Sequence, residues 1–512
     1  MKKVLLLHNQ ISPHTEGVFQ HLAKLTNLEV WYCAESESNR AKWQVKPSGY
    51  KYQILQQKKL EIKTKDLFTL FFNLNIFKQL KKINHDLIII AGWDLPTYWL
   101  TAFYCWRKKI PYLVWSGSTI YESSWRRTIS KPLVNWILKN AHGYLTYGQR
   151  SRDYLLQFGV DPLRIFMVMN GFDFTHYSSL NSKQKFEVSK IQKKYNLNNK
   201  TVIIFYGQLI KRKQPDLLLA AFKHLSSKYH DLALLIIGDG DLKDQLIEDA
   251  NNSSNIIILD NPGDDQIVPY YHLADFLVLP SQEEVWGLVI NQAMAAGLPV
   301  VASDRVGAVG DLVIEGVTGL VFENNNLSSL ADKIKQLFDV KTRTKMSQAG
   351  INRAKRADSK QVALRIKSAI DDLLTDSLKK NDLIHWIELP TIVDDCKLTV
   401  AQFPQIPFEI KRVYYIYDAI KGLPRGFHAH KKTRQVMFCL KGSMTFTIDD
   451  GQHRTKVTLN DPTKGILIDA MIWHQMHDIN EDTLMLVLAS DVYQPDDYIR
   501  DYQSFKERVA KL

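Results

Sequence analysis

The sequence predicts two doubly wound α/β domains followed by an all-β domain, and three observations carry that expectation. Up to about residue 375, short apolar runs alternate with longer amphipathic stretches. A polar segment, SSLNSKQKFEVSKIQKKYNLNNK (178–200), divides those runs into two sets. After TDSLKKND (375–382) the chain turns to closely spaced strands broken by turn residues. The first set is VLLL (4–7), LIII (87–90), YLVW (112–115), YLTY (144–147) and IFMV (165–168). The second is VIIFY (202–206), ALLII (233–237), IIIL (256–259), FLVL (276–279) and PVVA (299–302). Strands separated by helices imply parallel sheets covered on both faces. The helix-like SKQVALRIKSAIDDLL (359–374) closes this part. Beyond it come RVYYIYD (412–418), QVMFCLKG (435–442), MTFTIDDG (444–451), KVTLND (456–461), GILIDA (465–470) and TLMLVLA (483–489). Strands at that spacing read as a barrel or sandwich. The expected domains are residues 1–177, 178–375 and 381–512, in keeping with a chain of 512 residues.

Composition narrows the function classes. A net charge of +12 favours anionic partners such as nucleotide phosphates or a phospholipid surface. No arginine-rich run or nucleic-acid motif accompanies it, so a nucleic-acid partner is not expected. The four cysteines, Cys33, Cys105, Cys396 and Cys439, lack CxxC spacing. That argues against a disulfide scaffold and a zinc site, and fits a reducing cytoplasm. The opening MKKVLLLHNQ has too short an apolar run for a signal peptide and reads as a buried strand. No stretch approaches the apolar length that spans a bilayer.

In PSQEEVWGLVINQAMAAGLPVVASD (280–304) a strand ends at Pro280, a loop carries Glu283 and Glu284, and Gly287 lets a helix begin near Leu288. Backbone N–H groups at a helix start form an anion site, and a carboxylate beside them can hold sugar hydroxyls. Ligands of such folds bind at the carboxyl ends of the strands. The segment resembles the donor-site motif of the retaining GT-B glycosyltransferases, the glycogen-synthase-like superfamily that includes family 4. The resemblance implies two Rossmann-like domains around a cleft and a nucleotide-sugar donor. It implies that Glu284 contacts the transferred sugar. It also implies that position 292, where Gln292 replaces the family's second glutamate, meets the ribose. Glutamine can hydrogen-bond hydroxyls there without charge assistance. In FYGQLIKRKQPDLLLAAF (205–222), Gly207 and Lys213 match the family's glycine and pyrophosphate-binding lysine, while Gln208 replaces its arginine. Positive charge at Lys213 would stabilise the leaving group.

The first domain is expected to hold the acceptor. HNQISPHTEGVFQHLA (8–23) puts Gly17 in a loop before a helix, and WSGSTIYESSWRR (115–127) puts Ser118 and Glu122 after a strand near the cleft. IKTKDLFTLFFNLNIFKQLKKI (62–83) mixes lysines with aromatics in helical register. Such a helix lies on an anionic membrane surface, or is an ordinary core helix with a wet lysine face.

The third domain carries GLPRGFHAHKKTRQVMFCLKG (422–442). On a strand, side chains at i and i+2 share a face, so His428 and His430 project into one cavity. The spacing is that of the first cupin motif, with Gln435 where a metal-binding glutamate usually stands. A neutral amide is a poor metal ligand beside a carboxylate, so neither metal nor other cofactor is expected. Imidazoles titrating near neutrality suit proton transfer. Together with IPFEIKRVYYIYD (406–418) and DAMIWHQM (469–476), residues 381–512 resemble the WxcM-like dTDP-4-oxo-6-deoxyglucose 3,4-ketoisomerases. That resemblance implies a cofactor-free jelly-roll enzyme moving a carbonyl between C4 and C3 of a nucleotide-linked hexose. It implies His428 or His430 as base and the other as shuttle, Arg425 on the diphosphate and Tyr417 in the relay. It also implies Gln435 and His474 as lining of the substrate pocket.

The combined expectation is a bifunctional enzyme of the cytoplasm, peripheral at the inner face of the membrane. It would act on nucleotide sugars and a glycan or lipid-linked glycan acceptor, and dimerise through the cupin. Two other readings stay open: a non-catalytic cupin that binds sugar and dimerises, and a metal-dependent oxygenase.

Overall fold

A computed structural model describes every residue except 36–45, 57, 64–66, 74, 123–124, 162–163, 252, 264–265, 375–382, 394–396, 403, 421–422 and 512. The chain forms two compact units, Met1–Ile370 and Asp371–Leu512. The expected boundary between 375 and 381 lies outside the described residues.

The first unit contains two parallel sheets. One runs, in spatial order, Lys51–Ile54, Asn27–Ala34, Lys3–Gln10, Leu87–Ile90, Tyr112–Ser116, Gly143–Thr146 and Ile165–Met167. The other runs Ile256–Leu259, Leu232–Ile237, Thr201–Tyr206, Phe276–Leu279, Val300–Ser303 and Gly319–Phe322. In each, the first strand in sequence lies inside the sheet, and the chain turns back beside it. That creates a switch point between Thr201–Tyr206 and Phe276–Leu279, where parallel sheets open a crevice. The central strands are apolar because helices cover both faces; Leu87–Ile90 and Leu232–Ile237 are buried at every position.

Two local expectations are corrected. Residues 62–83 do not form one helix: Lys58–Lys63 pairs antiparallel with Leu67–Phe72, and only Ile76–Leu80 is helical. The run LFTLFF is rich in aromatic side chains, and strand propensity overrides the lysine spacing. Gly17 lies within the helix Pro13–Leu25, not in a loop before it. Proline at the start of that helix is the signal for the earlier beginning. The polar segment 178–200 contains the helix Ser182–Lys194, started by a reciprocal capping box between Asn181 and Gln184.

The second unit has two five-stranded antiparallel sheets. One is ordered His385–Glu388, Lys464–Ile468, Gln435–Lys441, Leu484–Ala489, Arg412–Ile416. The other is Arg454–Leu459, Met444–Asp449, Trp473–His477, Arg425–His430, Tyr498–Ile499. Met437, Phe446, Ile448, Ile466 and Met485 form part of a core cluster drawn from both. The all-β sandwich agrees with a cupin.

Candidate functional sites

In the second unit the Arg425–His430 strand is irregular where the chemistry sits. Gly426 and Phe427 have φ of 86° and 56°, and the pairing with Trp473–His477 shifts register between Gly426 and His428. Such a bulge re-aims a side chain. A Cβ on Gly426 would lie 3.0 Å from the His474 carbonyl oxygen, so the close approach needs glycine. The result is a cluster of rings. His428 lies 5.1 Å from His430 and 4.5 Å from His474, centroid to centroid. Tyr498 packs 4.4 Å from His430 and 4.9 Å from His428.

Each imidazole has a different environment. Buried His430 (2% exposed) makes a 2.8 Å hydrogen bond from Nδ1 to Asp497 Oδ2. Its Nε2 lies 3.2 Å from Gln435 Nε2, whose amide also donates to Tyr414 Oη at 3.1 Å. The carboxylate selects the tautomer with the proton on Nδ1, leaving Nε2 as the basic nitrogen. Asp497 is itself fixed by the Lys432 N–H at 2.9 Å. Burial pushes the His430 imidazole below its ordinary value, and Asp497 pulls it back up. His428 has no such carboxylate. Burial, with His430 and Arg500 nearby, lowers it to about 4. Burial likewise holds His474 well below the usual histidine range. The sequence expectation of two imidazoles near neutrality is therefore corrected: a dry pocket beside cations disfavours a second charge.

The backbone of Gly426 lies against His428 and that of Ile472 against His474, yet Gln435 Oε1 and at least one ring nitrogen of buried His474 have no hydrogen-bond partner among the described residues. Buried polar groups are normally satisfied, so this concentration marks a place for a polar ligand. No group of three or more His, Cys, Asp or Glu among the described residues is arranged to hold a metal ion. Gln435 occupies the glutamate position with its amide nitrogen against His430.

The other expected residues are placed less centrally. Arg425 is exposed at the start of its strand. Tyr417 is 59% exposed and packs on Tyr415 at 5.7 Å, so the tyrosine against the imidazole pair is Tyr498. Arg500 stacks over Tyr498 at 4.6 Å, and Arg412 lies over Tyr414 at 5.2 Å. Asp497, Tyr498 and Arg500 escaped sequence reasoning because they lie about seventy residues beyond the histidine pair. No local pattern connects them to it.

In the first unit, Gly207 and Glu284 follow the two strands flanking the switch point. Glu284 forms an ion pair with Lys213. The loop is held from below: Arg212 Nη1 donates to the Glu283 carbonyl at 2.8 Å, and Gln282 N–H to the Arg212 carbonyl at 2.8 Å. A Cβ on Gly238 would lie 1.8 Å from the Gly207 carbonyl oxygen, so the two strand-end loops touch backbone to backbone. Gly287 caps the helix Leu288–Ala295 with φ of 91°. Gln292 is 2% exposed and lies between two tyrosines. Its Oε1 accepts from Tyr271 Oη at 3.0 Å and its Nε2 donates to Tyr177 Oη at 2.9 Å.

Ser118 and Glu122, expected on the acceptor side, lie in the loop after Tyr112–Ser116, where the Ser118 N–H donates to Ser116 Oγ at 3.1 Å. A Cβ on Gly117 would come within 2.9 Å of Val285, so this loop abuts the one bearing Glu284. Gly17 does something else: a Cβ there would lie 2.8 Å from Ser359 Oγ, so its bareness serves helix packing. The sequence missed Asp311, whose carboxylate accepts the Gln149 N–H at 2.8 Å and ties the two lobes of this unit. Burial pushes its carboxyl up to about 7.

Comparison with known proteins matches these parts separately. Residues 14–176 fit the glycosyltransferase family 4 description, residues 187–353 the glycosyl transferases group 1, and residues 382–510 the WxcM-like, C-terminal family. The TDP-4-oxo-6-deoxy-alpha-D-glucose-3,4-oxoisomerase of Aneurinibacillus thermoaerophilus is 48% identical over 115 residues, 22% of this chain and 83% of that one. The capsular polysaccharide biosynthesis glycosyltransferase CapM of Staphylococcus aureus is 26% identical over 207 residues, 39% of this chain and about half (53%) of that one. The fold of HepE from Anabaena, solved with UDP and glucose, superimposes with a TM-score of 0.55 at 18% identity. That match covers 72% of this chain and 100% of HepE, and shows the two-lobed GT-B fold.

Proposed function

Starting from a chain that belongs to the WxcM-like 3,4-ketoisomerase family at its C-terminal end and carries glycosyltransferase domains before it, we propose the following pair of reactions. The cupin converts dTDP-4-keto-6-deoxyglucose to its 3-keto isomer, a step towards a 3-amino-3,6-dideoxyhexose. The GT-B unit transfers a sugar from a nucleotide donor to a glycan or lipid-linked glycan of a surface polysaccharide. Both act on the cytoplasmic side of the membrane.

The observation that carries the first half is the His430–Asp497 hydrogen bond. A base needs an orienting group that also stabilises its protonated form, and of the two motif histidines His430 has the carboxylate. His430 Nε2 takes the C3 proton of the 4-keto sugar and the electron pair forms a C3–C4 enediolate. The C4 oxygen gains a proton, and C4 then gains one while the C3 hydroxyl loses its own. The carbonyl moves from C4 to C3 with no net redox change. His428, neutral and beside Tyr498, completes the proton relay, and His474 and Gln435 hold the sugar oxygens through their unmatched atoms. Arg500 and Arg412 supply positive charge for the diphosphate, with Arg425 further out. The Glu284–Lys213 pair, at the switch point of a parallel sheet, supports the transferase half. Glu284 would hold the sugar and Lys213 the pyrophosphate, with Gly207 and Gly287 leaving room for the donor backbone contacts. Gln292 positions Tyr177 and Tyr271 behind the donor rather than meeting the ribose. Ser118 and Glu122 face the acceptor. A homodimer would form along the edge strand Arg412–Ile416, where Val413 and Tyr415 are 56% and 64% exposed.

The test uses the full chain with the 4-keto nucleotide sugar in deuterated water and, separately, a panel of nucleotide sugars with a lipid-linked acceptor. Deuterium enters C4 of the 3-keto product in the parent protein and in Glu284→Ala, but not in His430→Asn. Transfer survives His430→Asn and is lost in Glu284→Ala. Exchange that persists in His430→Asn refutes the assignment of the base; no exchange in the parent leaves the cupin as a binding module.

A further inference from the structure

We propose that the outer face of the Pro96–Lys108 helix, together with Trp136 of the neighbouring helix, docks this chain on an anionic phospholipid surface. The helix reads PTYWLTAFYCWRK and is apolar around nearly its whole circumference. Tyr98, Ala102 and Cys105 are buried against the parallel sheet, which accounts for one side. The other side is also apolar yet open: Leu100, Phe103 and Trp106 are 36%, 44% and 50% exposed. A surface helix of a water-soluble domain carries a polar outer face, so this one departs from the ordinary pattern. The exposed rings are gathered: Phe103 lies 5.7 Å from Trp106, and Trp106 lies 5.8 Å from Trp136 on Trp125–Asn140.

Charge identifies the occupant. Neither helix contains Asp or Glu, while Arg107, Lys108, Lys131 and Lys139 are exposed on the pair. Tryptophan and phenylalanine with an uninterrupted basic complement suit the interface between headgroups and acyl chains, where rings enter and cations stay with lipid phosphates. No helix among the described residues is long and apolar enough to cross a membrane, so the contact is a surface one. This deepens the reading of a lipid-linked acceptor. Its test reads binding and not turnover, so the two fail independently.

Full-length protein is sedimented with vesicles of phosphatidylcholine alone and of phosphatidylcholine with phosphatidylglycerol. The protein pellets with the anionic vesicles, far less with neutral ones, and less as salt rises. Phe103→Ser with Trp106→Ser lowers the partition coefficient on anionic vesicles about tenfold or more, because exposed rings contribute there by burial in lipid. Arg107→Glu with Lys108→Glu removes the preference for anionic lipid. These side chains are solvent-exposed, and unchanged circular dichroism and thermal midpoint confirm that each variant folds. Failure of the parent to bind anionic vesicles, or equal binding by both variants, overturns the proposal and gives this face to a protein partner.

Discussion

Asp497→Asn tests the isomerase chemistry where the structure is most explicit. The substitution keeps the shape and an oxygen for the His430 Nδ1 proton, but removes the negative charge 2.8 Å away. A hydrogen bond to a charged group is worth about 1.5–3 kcal/mol, and here it favours the imidazolium that forms when the C3 proton arrives. Losing it should slow the proton-transfer step roughly 10–100-fold. The pH dependence has a definite sign. His430 must be neutral to act, so the rate falls on the acid side as it protonates. Burial lowers its pKa and Asp497 raises it, so losing the charge moves that acid limb to lower pH while the plateau drops. The assay is deuterium entry at C4 of the 3-keto product, followed by proton NMR across pH. An unchanged plateau and acid limb would refute the role of His430 as base. It would point to His428, which Asp497 does not touch.

Other expectations concern the transferase unit. Burial raises the Asp311 carboxyl to about 7, so the folded state holds this proton more tightly than the unfolded chain. Its contribution is present below the unfolded value near 4 and is lost as pH rises towards 7. Asp311→Asn should flatten that slope by an amount on the order of 2–4 kcal/mol, measured by denaturant unfolding at pH 5 and pH 8; an unaltered slope counts against it. In Gly148→Ala, the added Cβ would lie 2.2 Å from Asp311 Oδ2 and 2.7 Å from Trp286. The resulting overpacking should cost about 1–3 kcal/mol, read as a lower thermal midpoint. Gln292→Leu removes two buried hydrogen bonds and should destabilise this unit by roughly 2–4 kcal/mol. Gln292→Glu leaves an acceptor for each tyrosine hydroxyl and should retain transfer from a nucleotide sugar. Loss of transfer at unchanged stability would instead place position 292 on the donor.

The parallel sheets were legible because apolar period and turn chemistry are local. VLLL, LIII and FLVL are buried strands wherever they pair, and Gly287 starts its helix by backbone freedom alone. The strand Asn27–Ala34 was not singled out because NLEVWYCA mixes polar and apolar residues. The spacing of the basic-aromatic stretch at 62–83 points to a helix because spacing alone does not weigh cross-strand pairing. His428 and His430 could be found from an i, i+2 spacing on a strand, as could Glu284 from the loop after one.

What only tertiary structure decided is the division of labour inside each pocket. The pair of imidazoles is symmetric in sequence, and it becomes unequal because Asp497 reaches one ring and not the other. The acid that does this sits on a segment brought alongside by antiparallel pairing of His430 with Tyr498. Gln292 looks like a ribose ligand by spacing, yet two tyrosines from distant segments occupy both ends of its amide. Residue type and local spacing set which chemistry is available. Burial and long-range contacts set the proton affinity and orientation of each group, because desolvation and Coulomb terms depend on neighbours the chain supplies only after it folds.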